Sequence, residues 1–446
     1  MCGPGCRACK ISLTCYFPWE FSNAIIYPYR KQQLIGTALN AIFFCERRHL
    51  KFLILLIALI PLTGLAQPSP TNSLQQPAFS QLPGQLPQPV SPPDAQAFDE
   101  YTSWLRAEVD EEQIPGLALA IVSASGIVRV ETMGVRSLDD QQPVVEDTVF
   151  RIASVSKTFA GTVASQLVNH NIVGWDEPIS DLLPGYTLGT DSAAAERMTL
   201  RHVLSHTTGL MPHAFSNLLD AGVDYREIQE KLHEIPAVCE PGRCYGYQNV
   251  VFSLVADVVE YSLGTNYDDF VEENIFSPLG MDNASMGLDG YQNNPDASEA
   301  HQFGNGRWQV SSLNPAYYSV GPASGVNATI LDMVRWAQAQ LGGFPEVLPE
   351  SLLEMQHTPI VETPHGNYFN RWPRLDKAWY GLGWRIMDYA GLRVVHHGGG
   401  VRGYRSEMVL IPEHNIGLVV LFNASTPLAN DVVPKFLDEL LVALAR

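Results

Sequence analysis

The stretch Gly116-Leu-Ala-Leu-Ala-Ile-Val-Ser123, a short turn at 124–126 and the run Ile127-Val-Arg-Val-Glu131 together decide the fold. Two β-rich runs across a short Gly-containing turn predict an antiparallel hairpin near the start of the folded part. The far end of the chain mirrors it. Residues 393–396, 404–411 and 416–422 are β-branched or alternating, joined by Gly-rich and Pro-Glu-His-Asn turns. An acidic helix over about 98–112 precedes the first hairpin, and an amphipathic helix over about 430–445 closes the chain. In between, apolar residues recur at helical spacing over 157–169, 200–205, 250–262, 267–275 and 330–341. Strands at both ends with helices between them predict an α+β fold. One antiparallel sheet is built from both chain ends and flanked by helices, with an all-helical subdomain inserted over about 175–320.

The 446 residues are 46% hydrophobic and 17% charged, enough apolar material for a large core. Forty-seven acidic residues against 28 basic ones give a net charge of −19, which repels phosphate backbones, so nucleic acid is not an expected partner. Five of the seven cysteines (Cys2, Cys6, Cys9, Cys15, Cys45) precede residue 50. Cys6 and Cys9 have the gap of a metal or iron–sulfur site. The context points elsewhere, because Arg47, Arg48 and Lys51 lead into the apolar run 52–62 and then Gly64-Leu65-Ala66. That order predicts a secretory signal peptide over about 46–66, so 1–66 reads as an upstream segment plus signal peptide. A Pro/Gln-rich linker over 67–97 and a folded domain over 98–446 follow. A periplasmic or secreted protein is expected, meeting a membrane only if the signal segment stays uncleaved.

Phe150-Arg-Ile-Ala-Ser154-Val-Ser-Lys157 places Ser154 and Lys157 three apart at a helix start, on one face. A serine hydroxyl needs a base, and a desolvated lysine can serve as one. The helix N-terminus adds partial positive charge where an oxyanion would form. In Pro241-Gly-Arg-Cys-Tyr-Gly-Tyr247-Gln-Asn249, the Tyr247-x-Asn249 spacing sends a phenol and an amide to the same side of an extended turn. Read alone, it is also an ordinary loop aromatic. His396-His397-Gly398-Gly399-Gly400 ends one predicted strand, where glycines let a substrate backbone approach and bare N–H groups can serve an oxyanion; a plain hairpin turn reads the same way. Cys239 and Cys244 bracket a Glu-Pro-Gly-Arg turn that brings them within disulfide range in an oxidising compartment. His202 and His206 lie four apart, but no third ligand is evident, so neither a metal nor a cofactor is expected. The aromatic run Tyr368, Phe369, Trp372, Trp379, Tyr380 and Trp384 fits a cleft lining or a core.

In this order, Ser154-x-x-Lys157, Tyr247-x-Asn249 and His397-Gly-Gly399 resemble the serine β-lactamase and penicillin-binding-protein superfamily, in its class C β-lactamase-like branch. Leu200-Arg-His-Val-Leu-Ser-His-Thr-Thr-Gly-Leu210, Tyr380-Gly-Leu-Gly-Trp384 and Gly403-Tyr404 add to the likeness, which runs from about residue 96 to the C-terminus. The resemblance implies a β-lactamase/transpeptidase-like fold and a serine hydrolase. Ser154 would be acylated, Lys157 and Tyr247 would move protons, and Asn249 would orient Lys157 and the substrate amide. The N–H groups of Ser154 and Gly400 would form the oxyanion hole, with His397, Gly398 and Gly399 lining it. Tyr245 and Ser156 would stand aside.

One departure concerns substrate binding. Many β-lactamases have Lys-Thr-Gly where this chain has His397-Gly398-Gly399, so a permanent cation gives way to a group mostly neutral at pH 7. If His397 binds a substrate carboxylate, a rate limb is expected near its ordinary pKa of about 6.5. The resemblance implies a small-molecule or peptidoglycan-derived substrate: a β-lactam-like amide or a D-amino-acid peptide. The alternatives are a family VIII-type carboxylesterase and a penicillin or cell-wall-peptide binding protein that does not turn over.

Overall fold

The computed structural model describes Pro93 and residues 95–445, apart from 365, 367 and 368. The signal segment, the five N-terminal cysteines, the linker up to residue 92 and Tyr368 lie outside the described residues.

Among the described residues the main sheet has eight strands. They are β1 (Gly116–Ser123), β2 (Gly126–Gly134), β3 (Val361–Glu362), β4 (Leu375–Tyr380), β5 (Arg385–Tyr389), β6 (Leu392–Val401), β7 (Tyr404–Ile411) and β8 (Ile416–Phe422). Their spatial order is β2-β1-β8-β7-β6-β5-β4-β3, and every pairing is antiparallel. The two chain ends meet at β1 and β8, where Leu117 stands opposite Phe422 and Val122 opposite Gly417.

All eight residues of β1 are buried because helices cover both faces of the sheet. Leu117, Leu119 and Ile121 pack with Leu418, Val420 and Phe422 against α1 (Asp99–Glu111) and the last helix. Tyr101, Leu105 and Val109 of α1 recur every four residues, which puts them on one buried stripe. Ala118, Ala120 and Val122 face the opposite core with α2 (Ser156–Asn169) and α3 (Ile330–Gln340). α3 starts at a reciprocal cap in which Thr329 Oγ1 accepts from the Asp332 N–H and the Asp332 carboxylate accepts from the Thr329 N–H. The last helix, α4 (Val432–Leu444), buries Val433, Phe436, Leu437 and Leu440.

One expectation is corrected. The inserted region is not all helical, since His301–Gly304 and Arg307–Val310 form a hairpin and Ser285–Met286 pairs into a small second sheet. Asn305 and Gly306 turn that hairpin with φ of 53° and 77°, the conformation that Asn-Gly turns favour. The sheet also extends beyond β6 through β5, β4 and β3, where the aromatic run supplies strand residues: Trp379 and Tyr380 lie in β4 and are buried.

Candidate active site

Ser154 sits in a tight turn (Ala153–Val155) that leads directly into α2. Ala153 before it has φ of 49°, a region non-glycine residues rarely adopt, so the surrounding structure must hold this turn in place. Lys157, three residues on, is 0% exposed. Its Nζ lies 2.8 Å from Asn249 Oδ1, 3.0 Å from the Ala323 carbonyl oxygen and 3.5 Å from Ser154 Oγ. Burial, and then the charge of Arg385, hold its pKa well below the usual lysine value. A neutral amine has two N–H groups, which Asn249 and Ala323 satisfy. Its lone pair is then left to face Ser154 Oγ. Ser156 points elsewhere, its Oγ accepting from the Val326 N–H at 3.0 Å.

Tyr247 and Asn249 come from the loop that follows the Cys239–Cys244 disulfide, whose Cα atoms are 6.4 Å apart. The loop is strapped to the turn after residues 200–204: Gly242 N–H donates to the Thr207 carbonyl at 2.7 Å, and Gly246 N–H to the His206 carbonyl at 2.8 Å. The Tyr247 ring rests 4.3 Å from the His206 ring, and Lys157 Nζ lies 4.7 Å from its centroid. The Tyr247 phenol stands beside Ser154, and burial raises its pKa far above the usual value, so it stays protonated. Tyr245 packs instead beside the rings of Tyr380 and His206, at 5.8 and 6.1 Å. His202 and His206 both hold backbone in place, His202 Nδ1 accepting from the Thr199 N–H and His206 Nδ1 from the Gln248 N–H.

The opposite wall is the β6 edge. The two-residue turn Arg402–Gly403 closes the β6–β7 hairpin at Val401 and Tyr404. Alternation then makes Gly399 and Ser406 the next hydrogen-bonded pair and turns the N–H and C=O groups of Gly398 and Gly400 toward the cleft. β5 pairs with β6 only as far as His396. Gly399 has to be glycine, because a Cβ there would meet the Ile152 carbonyl oxygen at 2.3 Å and Ser154 N at 3.2 Å. That close approach sets Ser154 N beside the Gly-rich edge, the arrangement two oxyanion donors need.

His397 lines the cleft but is only 1% exposed. Its Nδ1 lies 2.9 Å from the Gly398 carbonyl and its Nε2 3.0 Å from Tyr380 Oη. Nδ1–H donates to the carbonyl, and in the neutral ring Nε2 accepts from the phenol. Burial, then Arg385 and Lys157, push its pKa well below 6.5. The cationic form expected near pH 6.5 is suppressed.

The permanent cations are Arg385 and Arg405, which line the same cleft of about 270 Å³ with Tyr247, the Gly398–Gly400 edge and Asn430. The Arg385 guanidinium lies 5.6 Å from the Tyr380 ring and 5.9 Å from the Tyr247 ring. Sequence reading missed both arginines. Arg385 follows Tyr380-Gly-Leu-Gly-Trp384 directly, and that turn packs tightly on α2: a Cβ on Gly383, whose φ is 82°, would meet the Lys157 carbonyl oxygen at 2.3 Å. A cation one residue after such a turn was the available signal.

The fold is that of penicillin-binding-protein homologues: the octameric homologue from Pyrococcus abyssi superposes with a TM-score of 0.67 at 22% identity, over 77% of each chain. The beta-lactamase family model matches residues 102–443, and the chain belongs to that family. Its relatives include penicillin-binding protein 4 of Amycolatopsis lactamdurans, 25% identical over 74% of this chain and 87% of that one. The beta-lactamase of Escherichia coli is 24% identical over 72% of this chain and 86% of its own. The unguisins hydrolase ungD' of Aspergillus campestris is 26% identical over 76% of this chain, which spans 65% of that protein's length.

Proposed function

We propose that this protein is an exported serine hydrolase that works through an acyl-enzyme on Ser154, acting on amide or ester bonds near a substrate carboxylate. The observation that carries the reading is the buried Lys157 amine, its two N–H groups taken by Asn249 and Ala323 and Ser154 Oγ 3.5 Å away. In acylation Ser154 Oγ attacks the carbonyl carbon and its proton passes to Lys157 Nζ. The carbonyl oxygen gains the charge and sits against the N–H groups of Ser154 and Gly400. Collapse expels the leaving nitrogen or oxygen, which takes a proton from the Tyr247 phenol; Lys157 returns its own proton to Tyr247. Water then attacks the acyl-enzyme, giving a proton to the same pair, and Ser154 is released with its hydroxyl restored.

Arg385 supports a carboxylate-bearing substrate, because a guanidinium keeps its charge at every working pH whereas His397 does not. This favours D-amino-acid peptides and β-lactam-like amides over neutral carboxylesters, while the complete set of Ser154, Lys157, Tyr247 and Asn249 favours a turning-over enzyme over a binding protein. The signal-like order of residues 46–66 and the Cys239–Cys244 disulfide support a periplasmic or secreted site of action. A panel of nitrocefin, a D-Ala-D-Ala peptide and p-nitrophenyl esters, with Ser154→Ala as the blank, tests the reading. Turnover of a carboxylate-bearing amide that the blank lacks supports it. Turnover of neutral esters alone would hand the case to the esterase reading.

A further inference from the structure

β7 touches the β6 edge through two consecutive residues on opposite faces. On the α2 face, Ser406 Oγ donates to the Ile152 carbonyl at 2.6 Å, which ties β7 to the turn carrying Ser154. On the other face lies Arg405. Its Nε donates to the Gly399 carbonyl at 3.2 Å, and its Nη2 donates to Glu407 Oε1 at 3.1 Å and to Asn430 Oδ1 at 2.9 Å. The side chain lies flat on the glycine pair: a Cβ added to Gly400 would stand 3.2 Å from Arg405 Cδ and 3.4 Å from its Nε.

The Gly399 carbonyl and the Gly400 N–H belong to one planar peptide unit, so the donors that hold the oxygen, the Ser406 N–H of the ladder and the Arg405 guanidinium, together fix the direction of the hydrogen. A cationic donor on that oxygen also draws electron density through the amide and makes its N–H a better donor. Arg405 is itself held. Glu407 is 1% exposed, and its second oxygen lies 2.9 Å from Nε2 of His396, which is 0% exposed and packs edge-on against Trp372. A buried carboxylate gripped on one side by His396 has a fixed position, and the guanidinium it pairs with inherits that position.

We propose that Arg405 is a positioning residue of the oxyanion hole: anchored by Glu407 and Asn430, it orients and polarises the Gly399–Gly400 peptide whose N–H faces the reacting carbonyl. The proposal rests on the reading of Ser154 as nucleophile, and its test separates the two. The probes are a fluorophosphonate, whose labelling rate needs a stabilised oxyanion, and phenylboronic acid, whose tetrahedral serine adduct does as well; protection against labelling reports the boronate affinity.

Arg405→Met with Glu407→Gln removes the buried charge together with its partner, so the fold should persist with a melting temperature close to wild type. That variant should be labelled about 10-fold more slowly or worse and bind the boronate correspondingly more weakly, since losing an oxyanion donor outright costs about 100- to 1,000-fold. Arg405→Lys keeps the charge beside Glu407 but cannot hold Gly399, Glu407 and Asn430 at once, and should fall in the same direction. It carries the test alone if the double variant does not fold. Wild-type labelling and boronate affinity in a folded variant, with Ser154→Ala unlabelled, would overturn the role of Arg405. Labelling of Ser154→Ala would overturn the nucleophile reading beneath it.

Discussion

The wall of the cleft formed by α2 and the Tyr247–Asn249 loop suppresses charge, whereas the wall formed by β5, β6 and β7 carries it permanently. Lys157 is fully buried and pushed toward its neutral amine. Arg385 and Arg405 face the same space and cannot be deprotonated. The two walls are coupled across the cleft, because the charge of Arg385, after burial, helps hold the Lys157 pKa down. In the proposed function, the difference separates two roles that a single lysine or histidine could not fill together. A group that moves protons must lose its charge, and a group that binds an anion must keep it.

Breaking the proton-moving wall should have the largest effect. Lys157→Ala should slow fluorophosphonate labelling of Ser154 and substrate turnover by at least about 100-fold, as removal of a positioned base does. Retention of the rate would transfer the base role to Tyr247. Breaking the charged wall should be more selective. Arg385→Met should raise KM for a carboxylate-bearing substrate by roughly 10-fold or more, and change a neutral p-nitrophenyl ester far less, because a lost hydrogen bond to a charged group costs about 1.5–3 kcal/mol. Equal changes in both substrates would show that Arg385 supports the site without reading the carboxylate.

The pH dependence sharpens the contrast. Rate should rise with pH through the lowered pKa of Lys157, and carboxylate and neutral substrates should share that profile because His397 stays neutral and Arg385 stays charged. A separate acid limb for the carboxylate substrate would restore the binding role to His397. Stability follows with the same sign. Between the lowered folded value and the ordinary one near 10.5, the unfolded chain holds a proton on Lys157 that the folded chain has released. Stability from this group therefore increases as pH rises across that window. The melting temperature of wild type should gain more between pH 7 and pH 9 than that of Lys157→Met, and equal gains would place a charged lysine in the fold. The smallest effect belongs to the Cys239–Cys244 link. Its short loop removes little unfolded-state entropy, so Cys239→Ala with Cys244→Ala should cost several-fold in turnover through a looser Tyr247 and only a small fall in melting temperature. A large melting shift with unchanged turnover would contradict that role.

What the residues disclosed in advance was local or periodic. Ser154 and Lys157 share a helix face by spacing alone, Tyr247 and Asn249 flank one residue, and the hairpins of β1–β2 and β6–β8 show in β-branched runs and turns. Strand β4 was hidden because its aromatic residues Trp379 and Tyr380 fit a core or a cleft equally well. The hairpin at 301–310 was hidden because its lone Asn-Gly stands in a region whose longer segments follow helical spacing. Arg385 and Arg405 were hidden for a deeper reason. A cation on a strand looks like a solvated side chain until strand register sets it beside His396 or Gly400, and register is a property of the assembled sheet.

Every role proposed for the cleft depends on Ser154, activated by a desolvated Lys157, being the nucleophile. Intact-mass measurement after incubation with a fluorophosphonate, followed by peptide mapping, addresses this without knowledge of the substrate. A single adduct is expected on Ser154, absent from Ser154→Ala and formed much more slowly in Lys157→Ala. An adduct on another serine, or labelling that survives Ser154→Ala, would contradict it.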